Sequence, residues 1–216
     1  MVEQPPNGAQ PGADRRRRRI IRFWDREAAL GFDPRWFSAS RPWVCTQAAG
    51  KTLDVCVGAG FNLPHYPRGI ELSGVDWSPG AIAEATRRAG ALGVEADLRV
   101  GDAADLPYAD ATFDTVVCTF SLCCVPDERA ALAEMSRVLK PGGILLLADN
   151  VAAEKPLLRL VQRLADIVVV PVMGHHSTRH PRPVVEELGF DIRAGERIQA
   201  GMVERLVAVK PGSPPS

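Results

Sequence analysis

Between Thr52 and Pro67 the chain reads TLDVCVGAGFNLPHYP, an apolar strand run that passes straight into a turn at Gly58-Ala59-Gly60. No other stretch restricts the fold as strongly. Glycine takes positive φ without steric cost and lets the backbone approach a ligand that a side chain would hold off. Asp76 follows 16 positions after Gly60, at the end of a second apolar run, LSGVD. A carboxylate there can accept both hydroxyls of a ribose. Strand, glycine turn and acid together predict a crevice for a nucleotide or nucleoside.

The residues after the turn separate two classes of ligand. A dinucleotide fold wants a third glycine three residues after the second, where helix and strand pack closely. That position is Leu63, followed by Pro64, and Pro67 lies further on. The prolines interrupt the helix whose N-terminus would cradle a pyrophosphate. A nucleoside without phosphates is therefore expected, and a dinucleotide oxidoreductase is the disfavoured alternative.

From Lys51 onward strand-type and helix-type periods alternate, the pattern of a parallel sheet covered on both faces. Strands are predicted near 52–57, 71–75, 96–100, 114–119 and 144–149. Ser78 and Pro79 mark a helix start, and Asp127 caps another that ends at Leu139, before Pro141-Gly142-Gly143. Helical runs near 156–170 and 181–188 precede two β-prone runs, 190–197 and 203–209, parted by Ala200-Gly201. The expectation is an α/β fold with a doubly wound, mostly parallel seven-stranded sheet and a C-terminal antiparallel hairpin. Ligands of such sheets collect at the carboxyl ends of the strands, beside the point where strand order reverses. Asp54, Gly58, Gly60, Asp76, Asp102 and Thr119 then surround one crevice.

Three further segments, in order, resemble the class I S-adenosylmethionine-dependent methyltransferases. GVDWS (Gly74–Ser78) is similar to that family's ribose-binding acidic motif. VGDAADLPYADATFDTVVCTFSLCCVPD is similar to its adenine-binding loop and fourth strand, and EMSRVLKPGGILLLAD to its helix, glycine turn and fifth strand. The resemblance runs from about Thr52 through the C-terminal strands. Within the family it points to the small single-domain branch with the phospholipid N-methyltransferases, the ubiquinone/menaquinone C-methyltransferases and the thiol methyltransferase-like proteins. It implies a Rossmann-like methyltransferase fold and S-adenosyl-L-methionine as cofactor. It also implies Asp54 near the methionine amino group, Gly58, Ala59 and Gly60 against the cofactor, Asp76 on the ribose, and Trp77 with Asp102 and the Ala103 amide at adenine. Two positions depart from the pattern: Cys56 stands where the family has its first glycine, and Asn150 where these groups often have His.

A chain of 216 residues with 46% hydrophobic content suits one domain. Acidic and basic residues balance at 26 each, so no nucleic-acid partner is expected. The five cysteines lack disulfide or metal spacing and read as reduced, packed thiols. No signal-like apolar run opens the chain, and a cytoplasmic location is expected. Residues 1–14 read as a disordered tail, 15–50 as an N-terminal helical lid, and 51–216 as the cofactor-binding domain. The Arg15–Arg19 run leads into IIRFWDREAAL, a basic amphipathic helix suited to cover the cofactor or to touch an anionic membrane.

For the acceptor, Trp24, Trp36 and Phe37 are expected to wall a pocket with Tyr66, His175 and His176. His65, His175 and His176 are base candidates, and no single catalytic residue is fixed, since the cofactor carries the activation. The histidines of GHHSTRH are not expected to bind metal, for want of a carboxylate or cysteine at useful spacing. The expected function is methyl transfer to S, N or O of a small, fairly apolar acceptor. The alternatives are a peripheral-membrane phospholipid or quinone methyltransferase and a cofactor-binding protein without turnover.

Overall fold

The computed structural model describes residues 19–23, 26 and 39–212. The expected tail, and Trp24, Trp36 and Phe37, lie outside the described residues. Within the expected lid, residues 19–23 and 26 are helical, and Ser40–Cys45 forms a second short helix, α1.

One seven-stranded sheet runs in the order β3-β2-β1-β4-β5-β7-β6. The strands are β1 Lys51–Val55, β2 Glu71–Asp76, β3 Ala96–Val100, β4 Phe113–Thr119, β5 Leu139–Asn150, β6 Asp191–Ile198 and β7 Val203–Val209. The first five pair in parallel, and β7 lies antiparallel between β5 and β6. Strand order reverses between β1 and β4. Those central strands are covered on both faces, and Leu53, Val55, Val116, Val117 and Cys118 are fully buried. The edge strand β3 instead carries the exposed Asp97–Arg99 pair, charge that discourages edge-to-edge association.

Helix α2 (Pro79–Leu92) starts where expected: Ser78 Oγ accepts from the Ala81 N–H at 2.9 Å, and Pro79 is its first residue. Helix α3 (Glu128–Val138) is capped by Asp127. Its end differs from the expectation. The chain turns extended at Leu139, before the Pro-Gly-Gly run, which becomes part of β5 as an irregularity where pairing with β4 shifts between Phe113 and Thr115. Gly142, at φ +75°, donates its N–H to the Lys210 carbonyl at 2.9 Å. The two remaining helices are α4 (Pro156–Met173) and α5 (Pro181–Glu187). No residue of α4 is buried, although it is the longest described helix.

Candidate active site

The glycine turn and Asp76 form one unit. Asp76, at the end of β2, accepts the Gly58 N–H on Oδ2 at 3.0 Å and the Ser78 N–H on Oδ1 at 2.9 Å. Its carboxylate is thus oriented by backbone from both sides and still borders the cavity described below. The two glycines do different work. A Cβ on Gly58 (φ +55°) would find no other atom nearer than the Cys56 carbonyl at 4.0 Å, so this turn borders open space. A Cβ on Gly60 (φ +76°) would stand 2.7 Å from Leu63 and 3.2 Å from the Ala85 Cα. Gly60 lets α2 pack on the turn, and it is not part of the cavity wall.

Cys56 also has positive φ, at +57°. The cysteine occupies a conformation that glycine takes freely, which explains physically why related chains can carry glycine there. Its side chain joins the cavity wall.

Beneath the turn lies a buried polar network. Arg41, from α1, donates to Asn62 Oδ1 at 2.9 Å and to Thr119 Oγ1 at 2.8 Å, and the Asn62 amide donates to both Asp54 oxygens at 3.1 and 3.0 Å. The guanidinium also lies 5.5 Å from the Phe61 ring centroid and 5.3 Å from that of Phe120. Asp54 is fully buried; burial raises its carboxyl to about 6, against the Asn62 hydrogen bonds and the Arg41 charge. Arg41 and Thr119 reach the cavity wall, whereas Asp54 stands one layer behind it. Arg41 and Asn62 escape sequence reading because their partners lie 21 to 78 positions away or in an unmarked turn.

The cavity measures about 410 Å³ and opens at the carboxyl ends of β1, β2 and β4. Trp77, Asp102 and Ala103 line it, as expected from the strand ends. Asp102 Oδ1 accepts the Ala104 N–H at 3.0 Å, so the carboxylate also shapes its own loop. Phe61, Val125, Val169 and Met173 add apolar wall, the last two from α4.

On the acceptor side the structure brings together residues that the sequence left separate. His175 lines the cavity, with Nδ1 3.6 Å from Cys124 Sγ. Cys124 Sγ lies 3.6 Å from Cys123 Sγ. The expectation that these cysteines are no more than packed thiols is corrected for Cys124, which has His175 beside it. The hydrogen bond from Cys123 and then the His175 imidazole outweigh burial and bring the Cys124 thiol down to about 6. Burial acts to lower His175, but the facing Cys124 sulfur outweighs it and raises the imidazole. The ligand-type atoms of Cys123, Cys124 and His175 lie within 4.8 Å of one another, a grouping not foreseen when a metal site was set aside. Cys123 is 1% exposed and absent from the wall, so the pair facing the cavity is Cys124–His175.

The turn carrying Cys124 is held rigidly. Buried Asp149 accepts the N–H groups of Ser121 at 3.0 Å and Leu122 at 2.6 Å, and Arg179 donates to the carbonyls of Leu122 and Val125. Three acceptor-side expectations are not met. His65 lies in a 3₁₀ turn away from the cavity. Tyr66 packs against the core near Val44 and Leu63, with its hydroxyl buried beside Asp54 and Cys45. The backbone N–H of His176 bonds the Cys123 carbonyl at 2.7 Å, and His176 is not in the wall. In a run of adjacent residues only one can face a given surface, which the sequence GHH does not specify.

A methyltransferase-domain family model matches residues 53–147. Over 153 residues the chain is 33% identical to a demethylmenaquinone methyltransferase of Thermus thermophilus, with 69% of this chain and 70% of that enzyme covered. The chain belongs to the class I S-adenosylmethionine-dependent methyltransferases. This methyltransferase is also 35% identical over 116 residues to a phosphatidylethanolamine N-methyltransferase of Cereibacter sphaeroides, covering 53% of this chain. A demethylmenaquinone methyltransferase of Deinococcus radiodurans is 35% identical over 153 residues, 69% of this chain. The chain spans 57% and 64% of the lengths of those two relatives. Among solved structures, a SAM-dependent methyltransferase of Aquifex aeolicus superposes with TM-score 0.62 at 17% identity, covering 86% of this chain and 97% of that one. The [4+2]-cyclase SpnF superposes with 0.70 at 19%, covering 96% and 98%. These two likenesses support the fold.

S-adenosylmethionine is the cofactor of that family. The open space over Gly58, where a Cβ would enter the cavity, and the backbone-oriented Asp76 carboxylate at the same turn fit a nucleoside ligand.

Proposed function

We propose that the enzyme methylates sulfur, nitrogen or oxygen of a small, fairly apolar acceptor, with the Cys124–His175 pair handling the acceptor's proton. The observation that carries this reading is the presence, in one mostly apolar cavity, of Asp76 with the open glycine turn and of a thiol–imidazole pair.

Bound S-adenosylmethionine supplies a methyl group on a positively charged sulfur. What is left to the chain is to position the acceptor, exclude water and receive a proton where the nucleophile carries one. Asp76, oriented by the Gly58 and Ser78 N–H groups at the cavity wall, accepts the ribose hydroxyls. Trp77, Asp102 and the Ala103 amide flank the adenine. Arg41, braced by Thr119, meets the amino-acid carboxylate, and Asp54 acts from behind the wall by fixing Asn62. Phe120, Val125, Val169 and Met173 keep the acceptor's side dry, which disfavours a charged reactant over a transition state in which charge is being lost.

The lowered Cys124 and raised His175 both favour the thiolate–imidazolium form of the pair. A protonated acceptor gives its proton to Cys124 Sγ, the His175 cation steadies the resulting nucleophile, and the thiol returns the proton to water after transfer. A second reading, a lipid-borne acceptor, is favoured by the exposed apolar face of α4 and by the names of the Cereibacter and Thermus relatives.

Calorimetric titration of S-adenosylhomocysteine into wild type and Asp76→Ala, with NAD as control, tests the donor half. Loss of one or two charge-assisted hydrogen bonds predicts weakening of about ten-fold to over a hundred-fold in the variant. Single-turnover transfer of labelled methyl to alkyl thiols, amines and phenols then tests the acceptor half. Equal affinity of both proteins for S-adenosylhomocysteine, or a preference for NAD, would overturn the assignment of Asp76.

A further inference from the structure

Helix α4 presents an apolar surface that nothing among the described residues covers. Of the nine large hydrophobic side chains that are exposed among the described residues, seven belong to it: Leu157, Leu160, Val161, Leu164, Ile167, Val168 and Val172, between 49% and 73% exposed. At 100° per residue these positions fall within an arc of roughly 140°. The opposite side faces the protein. Val169 and Met173 wall the cavity, and Asp166, the helix's acidic residue, turns inward to Ser177 and Thr178. The helix is therefore apolar on one side only, and no helix among the described residues is long and apolar enough to cross a membrane.

The exposed charge flanking this face is mostly basic, although exposed Glu154, 3.9 Å from Arg197, adjoins its N-terminal end. Arg163 is exposed on α4 and Lys155 at its N-cap. At its far end Arg19, the last of five consecutive arginines, donates to the Pro171 carbonyl at 2.5 Å, and Ile20 packs on Gly174. The N-terminal helical residues thereby bring exposed Arg22 and Arg26 to the same part of the molecule.

We infer that α4 docks on an anionic phospholipid bilayer, its Leu/Val/Ile face in the headgroup–acyl boundary and the neighbouring arginines and Lys155 against the headgroups. One-sided apolarity with flanking basic residues suits a helix that lies in the interface. The same helix forms part of the cavity wall, so docking brings the acceptor entrance to the lipid surface. The docking depends on the methyltransferase reading only for its purpose, delivery of a lipid-borne acceptor.

The test is flotation of the full chain with vesicles of phosphatidylcholine alone or with phosphatidylglycerol, at low and high salt. S-adenosylhomocysteine titration and thermal melting run in parallel. The comparisons are Leu160→Glu/Leu164→Glu, neither of which lines the cavity, and Arg22→Glu/Arg26→Glu. Wild type is expected to float with phosphatidylglycerol vesicles, at least about ten-fold more weakly with phosphatidylcholine, and less at high salt. The leucine variant loses at least about ten-fold in vesicle affinity, and the arginine variant about five-fold per charge removed, with melting and cofactor-product affinity unchanged. Equal flotation of the leucine variant, or equal affinity for both lipids, would refute the docking. So would a wild-type dimer that this variant dissolves in the absence of vesicle binding, which would make the face a contact between copies. Loss of cofactor-product binding with flotation intact would instead strike the donor-site reading alone.

Discussion

Gly58 and Gly60 separate binding from folding within three residues, and alanine at each gives opposite outcomes. Both have positive φ. A left-handed conformation costs an alanine about 1–2 kcal/mol, of which about 0.4–1 kcal/mol is offset because the unfolded chain has fewer conformations to lose. Gly58→Ala has no further cost, since its Cβ meets nothing nearer than 4.0 Å. The net loss is about 0.5–1 kcal/mol, or roughly 1–4 °C in a domain of this size. Its methyl group enters the cavity beside Asp76, and affinity for S-adenosylhomocysteine should fall at least about ten-fold, the equivalent of 1.4 kcal/mol. Gly60→Ala instead drives a Cβ to 2.7 Å from Leu63 and 3.2 Å from the Ala85 backbone. Overpacking adds about 1–3 kcal/mol, for a total near 2–4 kcal/mol and roughly 4–15 °C. The folded fraction of Gly60→Ala should bind within about three-fold of wild type, a change under about 0.7 kcal/mol. Scanning calorimetry with and without S-adenosylhomocysteine reads both quantities. If Gly58→Ala melts as low as Gly60→Ala, or binds as tightly as wild type, the division of labour between the two glycines is wrong.

Cys124 and His175 predict a bell-shaped pH dependence of single-turnover methyl transfer. The acid limb lies near 6, where the Cys124 thiolate is protonated, and the alkaline limb lies where His175, raised by that sulfur, gives up its charge. Cys124→Ser should remove the acid limb while S-adenosylhomocysteine affinity is kept; an unchanged limb would exclude the thiolate. Arg41→Leu should destabilise the fold by about 3 kcal/mol, because it leaves the buried Asp54 network without its cation. The sign with pH follows from the raised Asp54 carboxyl. Between its ordinary value and about 6 the folded state binds the extra proton, so stability falls as pH rises through that window. Without Arg41 the folded value rises further, and the deficit relative to wild type should widen above pH about 6. Urea unfolding at pH 5 and pH 8 measures it, and a pH-independent deficit would argue against charge as the cause.

The donor side was readable because its parts are local. A strand, a glycine turn and an acid 16 positions on specify Gly58, Asp76 and the cap at Ser78 through contacts two to 18 residues apart. The mostly parallel seven-stranded sheet and its terminal hairpin are expected from the alternation of period, and that expectation holds. What the sequence did not reveal depends on distant partners. Arg41 reaches Thr119 across 78 positions and Cys124 meets His175 across 51, and no spacing rule brings those pairs together. Gly60 and Asp54 were placed at the crevice because they belong to the motif, yet packing against Ala85 and Asn62 sets them behind it. The Pro-Gly-Gly run looked like a stop and became a strand irregularity, since the Lys210 carbonyl accepts the Gly142 N–H that a free turn would leave to water.

The two halves of the cavity also differ in how tightly they are built, which bears on how such an enzyme can change acceptor. Asp76, Asp54 and Asp149 are each fixed by two or more hydrogen bonds and are almost wholly buried. A substitution around them therefore disturbs the fold as well as the donor site. Helix α4 contributes Val169 and Met173 to the wall but buries no residue. Changes along it cost little in packing, and its displacement or replacement would alter the acceptor's side without unsettling the sheet. Cys124 stands at the boundary: its turn is clamped by Asp149 and Arg179, while its partner His175 follows directly on the end of α4 at Gly174. The proposed proton-handling pair is thus tied on one side to the clamped strand ends and on the other to a helix that buries no residue. Movement of α4 on a lipid surface would be felt first at the Cys124–His175 contact.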